Sequence, residues 1–263
     1  MAIKTILAQT KEELEMGALV RFKVFADDEG SLIPSDFPSG REIDGFDIHQ
    51  TSAMIIALDA DEPVGTVRVL LENREIADRN GWDYGLDIET MYSLRPYKDR
   101  EIAIAEVPRT CVIKSHRRGP VLMELYKKVY QFCRDADVTH VCGSVSTYSD
   151  NIKDAEIIYY LIRKKGMLGD IELPRKESHI KSEGIKIDQY PDLDDSSPDT
   201  IEKYLKRGDE LRLPGIVRVL SNLGVKIVGQ PEYYRKFDRY ILPMSLELSS
   251  IPEPAKSYFE SKS

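Results

Sequence analysis

The stretch Ala103-Ile-Ala-Glu-Val-Pro-Arg-Thr-Cys-Val-Ile113 decides how the rest of the chain is read. Its β-branched and small apolar residues predict a strand over about 102–113. Two charges interrupt it, Glu106 and Arg109, with Pro108 between them. Charged side chains are seldom buried unless paired. Proline cannot donate to a sheet ladder, so it marks an edge or a bulge. Residues three apart in a regular strand face opposite sides. A bulge at Pro108 would turn Glu106 and Arg109 toward one cleft.

Similar interruptions occur upstream. Arg21-Phe-Lys-Val-Phe25 lies in an apolar helical pattern, Asp44-Gly-Phe-Asp47 leads into the strand-like Thr51–Leu58, and Arg68 sits inside Val64-Gly-Thr-Val-Arg-Val-Leu-Leu71. Charges of mixed sign carried by strands and a helix predict one shared polar site. Each member also has a plainer role open to it. Glu106 fits half of a salt bridge with Arg109 or Arg68. Asp44 and Asp47 fit turn chemistry around Gly45, pairing with Arg21 and Arg68, or capture of a substrate ammonium.

Around these clusters the pattern predicts a strand at 2–8 and a helix from the capping-box start Thr10-Lys-Glu-Glu13 to about 26. A long Gly-, Pro- and Asp-rich loop follows over 27–50. Strands at 52–58 and 64–71 are joined by a hairpin turn, and 72–100 lacks periodicity. A helix over 120–136 has Leu122, Leu125, Val129, Phe132 and Cys133 as its apolar stripe. A strand spans 138–146, and a helix over 151–165 is closed by Gly166. Residues 169–212 are charged and poor in apolar side chains, which predicts an inserted acidic cap over the cleft. A short helix and closing strands follow, with a loosely held tail after 249. The expectation is one domain over 1–263.

Composition narrows the function classes. The net charge of −8 argues against nucleic acid as the main partner. No apolar run reaches the roughly 18 residues of a membrane span, and the first residues lack a signal-peptide core. Three cysteines in apolar surroundings read as reduced core thiols of a cytoplasmic protein, and four scattered histidines give no metal-ligand spacing, so no metal is expected. Basic residues concentrate at Lys114-Ser-His-Arg-Arg118, Lys127-Lys128 and Arg163-Lys-Lys165. The last of these suits a helix C-terminus, and the middle one suits a solvated helix face.

The ordered set Arg21-x3-Phe25, Asp44-x2-Asp47, Arg68 and Glu106-x2-Arg109 resembles the acyl-homoserine-lactone synthases and the long-chain N-acyl amino acid synthases, within the wider GNAT acyltransferases. The resemblance covers roughly residues 1–150 well and the rest loosely. It implies an α/β (α+β) GNAT-like fold, a mixed, splayed central sheet flanked by helices on both faces. It implies N-acyl transfer of a medium- or long-chain acyl group to an amino-acid-derived amine. No cofactor is bound permanently, and acyl-ACP or acyl-CoA serves as co-substrate. Glu106 and Arg109 take the catalytic positions, with Glu106 accepting a proton or orienting the acceptor. Arg21, Phe25, Asp44, Asp47 and Arg68 organise the site or bind the acceptor. Val112, Lys114, Arg117 and Arg118 fall at the donor-binding turn, while Ser144 and Ser146 line an acyl tunnel or merely end a strand.

The departures from that pattern are informative. At the glycine positions of an acetyl-CoA turn stand Pro120 and Leu122. Pro120 has no N–H to give a pyrophosphate, which favours acyl carrier protein as the partner. That protein is itself acidic, so docking on this chain needs the local basic stretch 114–118. The tryptophan usual after the phenylalanine is absent, and Gly30-Ser-Leu-Ile33 stands in its place. Two other readings remain: a CoA-dependent acetyltransferase of a small amine, and a non-catalytic acyl-binding module of the same fold.

Overall fold

The computed structural model describes residues 3–176 and 215–261. The first strand, β1 (Ile3–Leu7), leads to α1 (Lys11–Phe22), which starts on the reciprocal Thr10–Glu13 capping box. The helix does not run on regularly to 26; its last turn widens into a π-helical segment, Lys23–Asp28. An antiparallel hairpin follows, β2 (Ser52–Asp59) and β3 (Glu62–Leu70). The segment 72–100 is more ordered than its aperiodic sequence suggests. It holds α2 (Arg74–Asn80) and the single turn α3 (Arg95–Lys98). Its order comes from point contacts. The buried Glu89 carboxylate accepts the backbone N–H groups of Asp83, Tyr84, Gly85 and Leu86, and Tyr84, Tyr92 and Tyr97 are core residues.

The expected strand over 102–113 is broken in two. β4 (Ile104–Glu106) and β5 (Cys111–Val112) flank a left-handed turn at Arg109, φ +59°. Next come α4 (Val121–Asp135), β6 (His140–Ser146) and α5 (Ile152–Lys164). After residue 214 the chain adds α6 (Gly215–Asn222), β7 (Lys226–Ile227), β8 (Glu232–Tyr234), β9 (Arg239–Glu247) and α7 (Glu253–Glu260). The sheet runs β1-β2-β3-β4-β6-β9-β7, with β5 on β3 and β8 on β9. The β4–β6 pair is parallel and the other pairs are antiparallel. This is the mixed, splayed sheet of the GNAT fold.

Two-residue alternation puts helices on both faces. Ile55, Ala57, Val67, Val69 and Ala105 pack with Val121, Leu125, Val129 and Cys133 of α4. Met54, Ile56 and Leu58 face the other way, with Met16 of α1 against them. The splay begins where β4 ends. Val107 still donates to Cys142 O at 2.8 Å, but beyond it the chain turns away to β3, and among the described residues Ser144–Ser146 of β6 pair only with β9. Gly143 sits at the fork, where a Cβ would lie 3.2 Å from Val107 O.

The cysteines are free and buried. The cap expected at 169–212 lies, from residue 177 on, outside the described residues. Its first part is anchored, with Ser93 N–H on Pro174 O and Lys176 N–H on Met91 O. The tail after 249 is not loose. Phe259 of α7 is 2% exposed and packs with Tyr130, Leu223 and Ile251. Lys127 is therefore not part of a solvated basic face; it is buried beneath this helix, with Nζ on Ser261 Oγ at 2.8 Å. Truncating a buried aromatic costs about 3–5 kcal/mol, so Phe259→Ala is expected to lower the unfolding free energy by about that amount in urea titration. A change below about 1 kcal/mol would restore the loose tail.

Candidate functional site

Sheet register brings the interrupting charges together. Leu70 is the cross-strand partner of Glu106, and Arg68 lies two residues before Leu70, so Arg68 and Glu106 share a face. Arg21 reaches the same region from the last turn of α1. The left-handed turn at Arg109, not a bulge in a continuous strand, swings that guanidinium in beside them. Such a backbone conformation is costly for a residue with a Cβ and must be held by its surroundings.

Those surroundings are an ion cluster. Arg21 grips Asp47 with two bonds of 2.9 Å and reaches Glu42 at 3.3 Å. Arg68 pairs with Asp44 at 2.5 Å, Asp87 at 3.1 Å and Asp47 at 3.2 Å. Arg109 meets Asp44 at 2.9 Å, Glu42 at 3.4 Å and Asp87 at 3.4 Å. Lys236 closes the set on Glu42 at 2.7 Å and Asp44 at 3.3 Å. Four cations thus face four carboxylates, and Arg21, Arg68 and Glu42 are fully buried. Desolvation pushes the carboxyls of Glu42, Asp44 and Asp47 up, yet the cations more than offset it. Arg109 and Arg68 hold Asp44 far below the usual range, and Glu42 and Asp47 are also lowered.

Glu106 stands outside this balance. It is 3% exposed and forms no ion pair with the cluster's guanidiniums; its Oε2 accepts the Ile88 N–H at 3.0 Å. Burial, reinforced by the charge of Asp87, pushes its carboxyl up to about 8 against the weaker pull of Ile88 N–H, Arg68 and Arg109. The salt-bridge role open to it in the sequence is filled by Glu42, Asp44, Asp47 and Asp87.

Glu106 opens onto a cavity of about 150 Å³ at the strand fork. Of the residues singled out by sequence, Phe25, Arg109, Ser144 and Ser146 also line it. Arg21, Arg68, Asp44 and Asp47 stand behind it as support. Val112 ends β5, and Lys114, Arg117 and Arg118 belong to the turn before α4; none of the four lines the cavity, although Arg117 Nη2 lies 3.9 Å from Glu29, which does. Arg117 is engaged there, with Nη2 on Asp28 at 3.0 Å and Nε on Val112 O at 3.0 Å. A second cavity of about 70 Å³ abuts the first through the shared walls Val107, Tyr126, Leu220 and Met244. Its lining is almost wholly apolar and ends on Ile251 and Phe259. Sequence reasoning missed Glu42, Asp87, Tyr234 and Lys236. Glu42 lies in a loop, Asp87 and Lys236 in single 3-10 turns and Tyr234 at a short edge strand, where no periodicity flags a site residue.

Against known proteins, a family model described as acetyltransferase (GNAT) domain matches residues 20–127. No curated protein matches the chain. Among solved structures, an N-acyl amino acid synthase from uncultured soil microbes, FeeM, is similar at 10% identity and TM-score 0.52, covering 97% of this chain and 98% of its own. A CoA-dependent acyl-homoserine lactone synthase, MesI, is similar at 12% identity and TM-score 0.50, covering 99% and 97%. The chain has the GNAT fold.

Removing one partner from a buried pair costs about 3–5 kcal/mol, whereas an exposed pair contributes under about 1 kcal/mol. Arg68→Met is expected to fall in the first range. Arg79→Met, which breaks the exposed pair with Glu75, is expected to fall in the second. Urea denaturation of both variants would show it, and equal small losses would mean the cluster is not structural. Because Glu42, Asp44 and Asp47 are lowered, their contribution is present above about pH 4 and lost as pH falls. The gap between native protein and Arg68→Met should therefore narrow in acid.

Proposed function

We propose that this protein is an N-acyltransferase that moves a medium- or long-chain acyl group from a carrier-borne thioester to the amine of an amino-acid-derived acceptor. The observation that carries this reading is the pair of abutting cavities. One presents an unpaired buried carboxyl, and the other, behind it, accepts only apolar matter. The unpaired edge of β6 beyond Gly143 gives an extended donor arm a place to lie, with its thioester between the two cavities.

The chemistry follows from the groups present. The acceptor nitrogen attacks the thioester carbonyl, forming the C–N bond as the C–S bond breaks. The ammonium proton passes to the Glu106 carboxylate directly or through a water, and the departing thiolate takes up a proton. A base must be ionised to work, so a carboxyl near 8 is matched to an amine that must itself be deprotonated. The ion cluster fixes the turn that places Arg109, and with it the mouth of the cavity. Two features support a carrier-protein donor over CoA. Pro120 offers no N–H at the start of α4, and Arg117 is engaged with Asp28 and Val112 O.

The direct test is a donor screen of acyl-ACP against acyl-CoA over a range of chain lengths, with an amine panel and product identification by mass. Long-chain acyl-ACP is expected to give the highest turnover. Preference for acetyl-CoA would contradict the role given to the apolar cavity. Glu106→Gln should lower kcat about a hundredfold. The native kcat should rise with pH through about 8, and the variant should lack that rise. The stability effect has the opposite sign. A carboxyl raised in the fold loses stability as pH climbs from the ordinary carboxylate value toward 8, because the unfolded chain ionises first. The Gln variant should therefore melt no lower than the native protein at pH 8. Full turnover in Glu106→Gln would remove this residue from the chemistry.

A further inference from the structure

The smaller, apolar cavity has a direction. Val107 follows Glu106 in the chain and lines both cavities. Glu106 turns to the Ile88 side of the sheet, whereas Ala105 and Val107 face α4. The larger cavity has both Ile88 and Tyr126 of α4 among its walls, so it passes through the fork. An acyl chain whose carbonyl lies beside Glu106 therefore leaves along Val107 and runs on between α4 and β9. From there the lining advances the same way along each element. On α4 it goes from Tyr126 to Val129 and Tyr130, and along β9 from Met244 to Leu246 and then Leu248. The four residues from Met244 to Leu248 span about 13 Å at the rise of a strand. The last walls are Ile251 and Phe259, just before and within α7.

The far end is closed by packing. Phe259 is buried, and its ring lies 5.6 Å from that of Tyr130, which itself lines the cavity. Two hydrogen bonds hold the helix to α4. The Tyr130 hydroxyl donates to Glu260 at 2.8 Å, and Gln131 Nε2 donates to Phe259 O at 3.1 Å. A helix of eight residues has little stability of its own, so these contacts decide where it sits. Whatever fills the cavity bears on the same side chains.

We infer that α7 is the end wall of the acyl site, and that Phe259 and Ile251 set the longest chain the enzyme takes. This rests on the transferase reading above and names the residues that measure the chain. Up to the wall, each added methylene buries apolar surface and should raise kcat/KM about fourfold. Beyond it, a chain must displace a packed aromatic side chain, and overpacking a filled core is unfavourable.

The test measures kcat/KM over a series of acyl-ACPs that differ by single methylenes. The native enzyme is expected to climb by that factor to a limit and then fall. Phe259→Leu, which shortens the wall, should move the limit to longer chains, and Ile251→Phe, which fills it, should move it to shorter ones. Circular dichroism melts check that both variants fold. A limit that stays put in both folded variants would overturn the assignment. Hydrogen exchange of the native protein needs no variant. Long-chain acyl-ACP should slow exchange over 251–260 severalfold relative to acetyl-ACP, which cannot reach α7. Equal exchange there with both donors would overturn the wall as surely. Chain-dependent protection of α7 without transfer to any amine would keep the wall and remove the transferase reading.

Discussion

Charge balance among buried groups is the constraint on which the site depends. Three arginines and a lysine meet four carboxylates around the last turn of α1, the 42–47 loop, β3 and the turn after β4. Burying ions is expensive, and the Coulomb gain repays it only when every partner is present. The cluster is therefore worth little as a source of net stability, yet it is intolerant of losing a member. Its value is positional. It ties a loop with no secondary structure to α1, β3 and the turn after β4, and holds Arg109 in a left-handed conformation that bends the chain away from β6.

That bend is what opens the sheet. With β5 drawn to β3 and β6 left to β9, the fork at Gly143 has a backbone edge without a partner among the described residues. Glu106, the last residue of β4, sits at the apex of the fork. The four cations are already matched by four carboxylates among the described residues, and burial beside Asp87 outweighs the pull of Arg68 and Arg109 on Glu106, raising its carboxyl to about 8. The same balance that stabilises the neighbours leaves this one group poised. On the proposed reading, the basicity of Glu106 comes from burial beside a neutralised cluster, not from a dedicated activating partner.

Much of this was legible in the sequence. Alternating apolar residues gave β2, β3 and β6, and the charges inside them marked Arg68, Glu106 and Arg109 as one site. Pro108 announced that the strand could not continue. What escaped reading was whatever depends on contacts remote in sequence. Glu42, Asp87 and Lys236 look like ordinary loop charges until the fold delivers them to the arginines. The segment 72–100 looked irregular because Glu89 and tyrosine hydroxyls, not a repeating pattern, order its backbone. The terminal helix is short and follows a proline, and only its packing on α4 reveals Phe259 as a core residue. Lys127 shows the converse error, a charge that looks solvated along its own helix but is covered by that later element.

The central claim is that Glu106 is an uncompensated buried carboxyl beside a neutralised ion cluster. Isotope-edited NMR of the glutamate side-chain carboxyl carbons, with Glu106 assigned by loss of its signal in Glu106→Gln, measures this directly. The account predicts a titration midpoint near 8 for Glu106. It also predicts that Glu42 stays ionised well below the usual carboxylate range. A Glu106 midpoint near the ordinary value of 4.5 would contradict it, because the carboxyl would then have a counter-charge or open access to water.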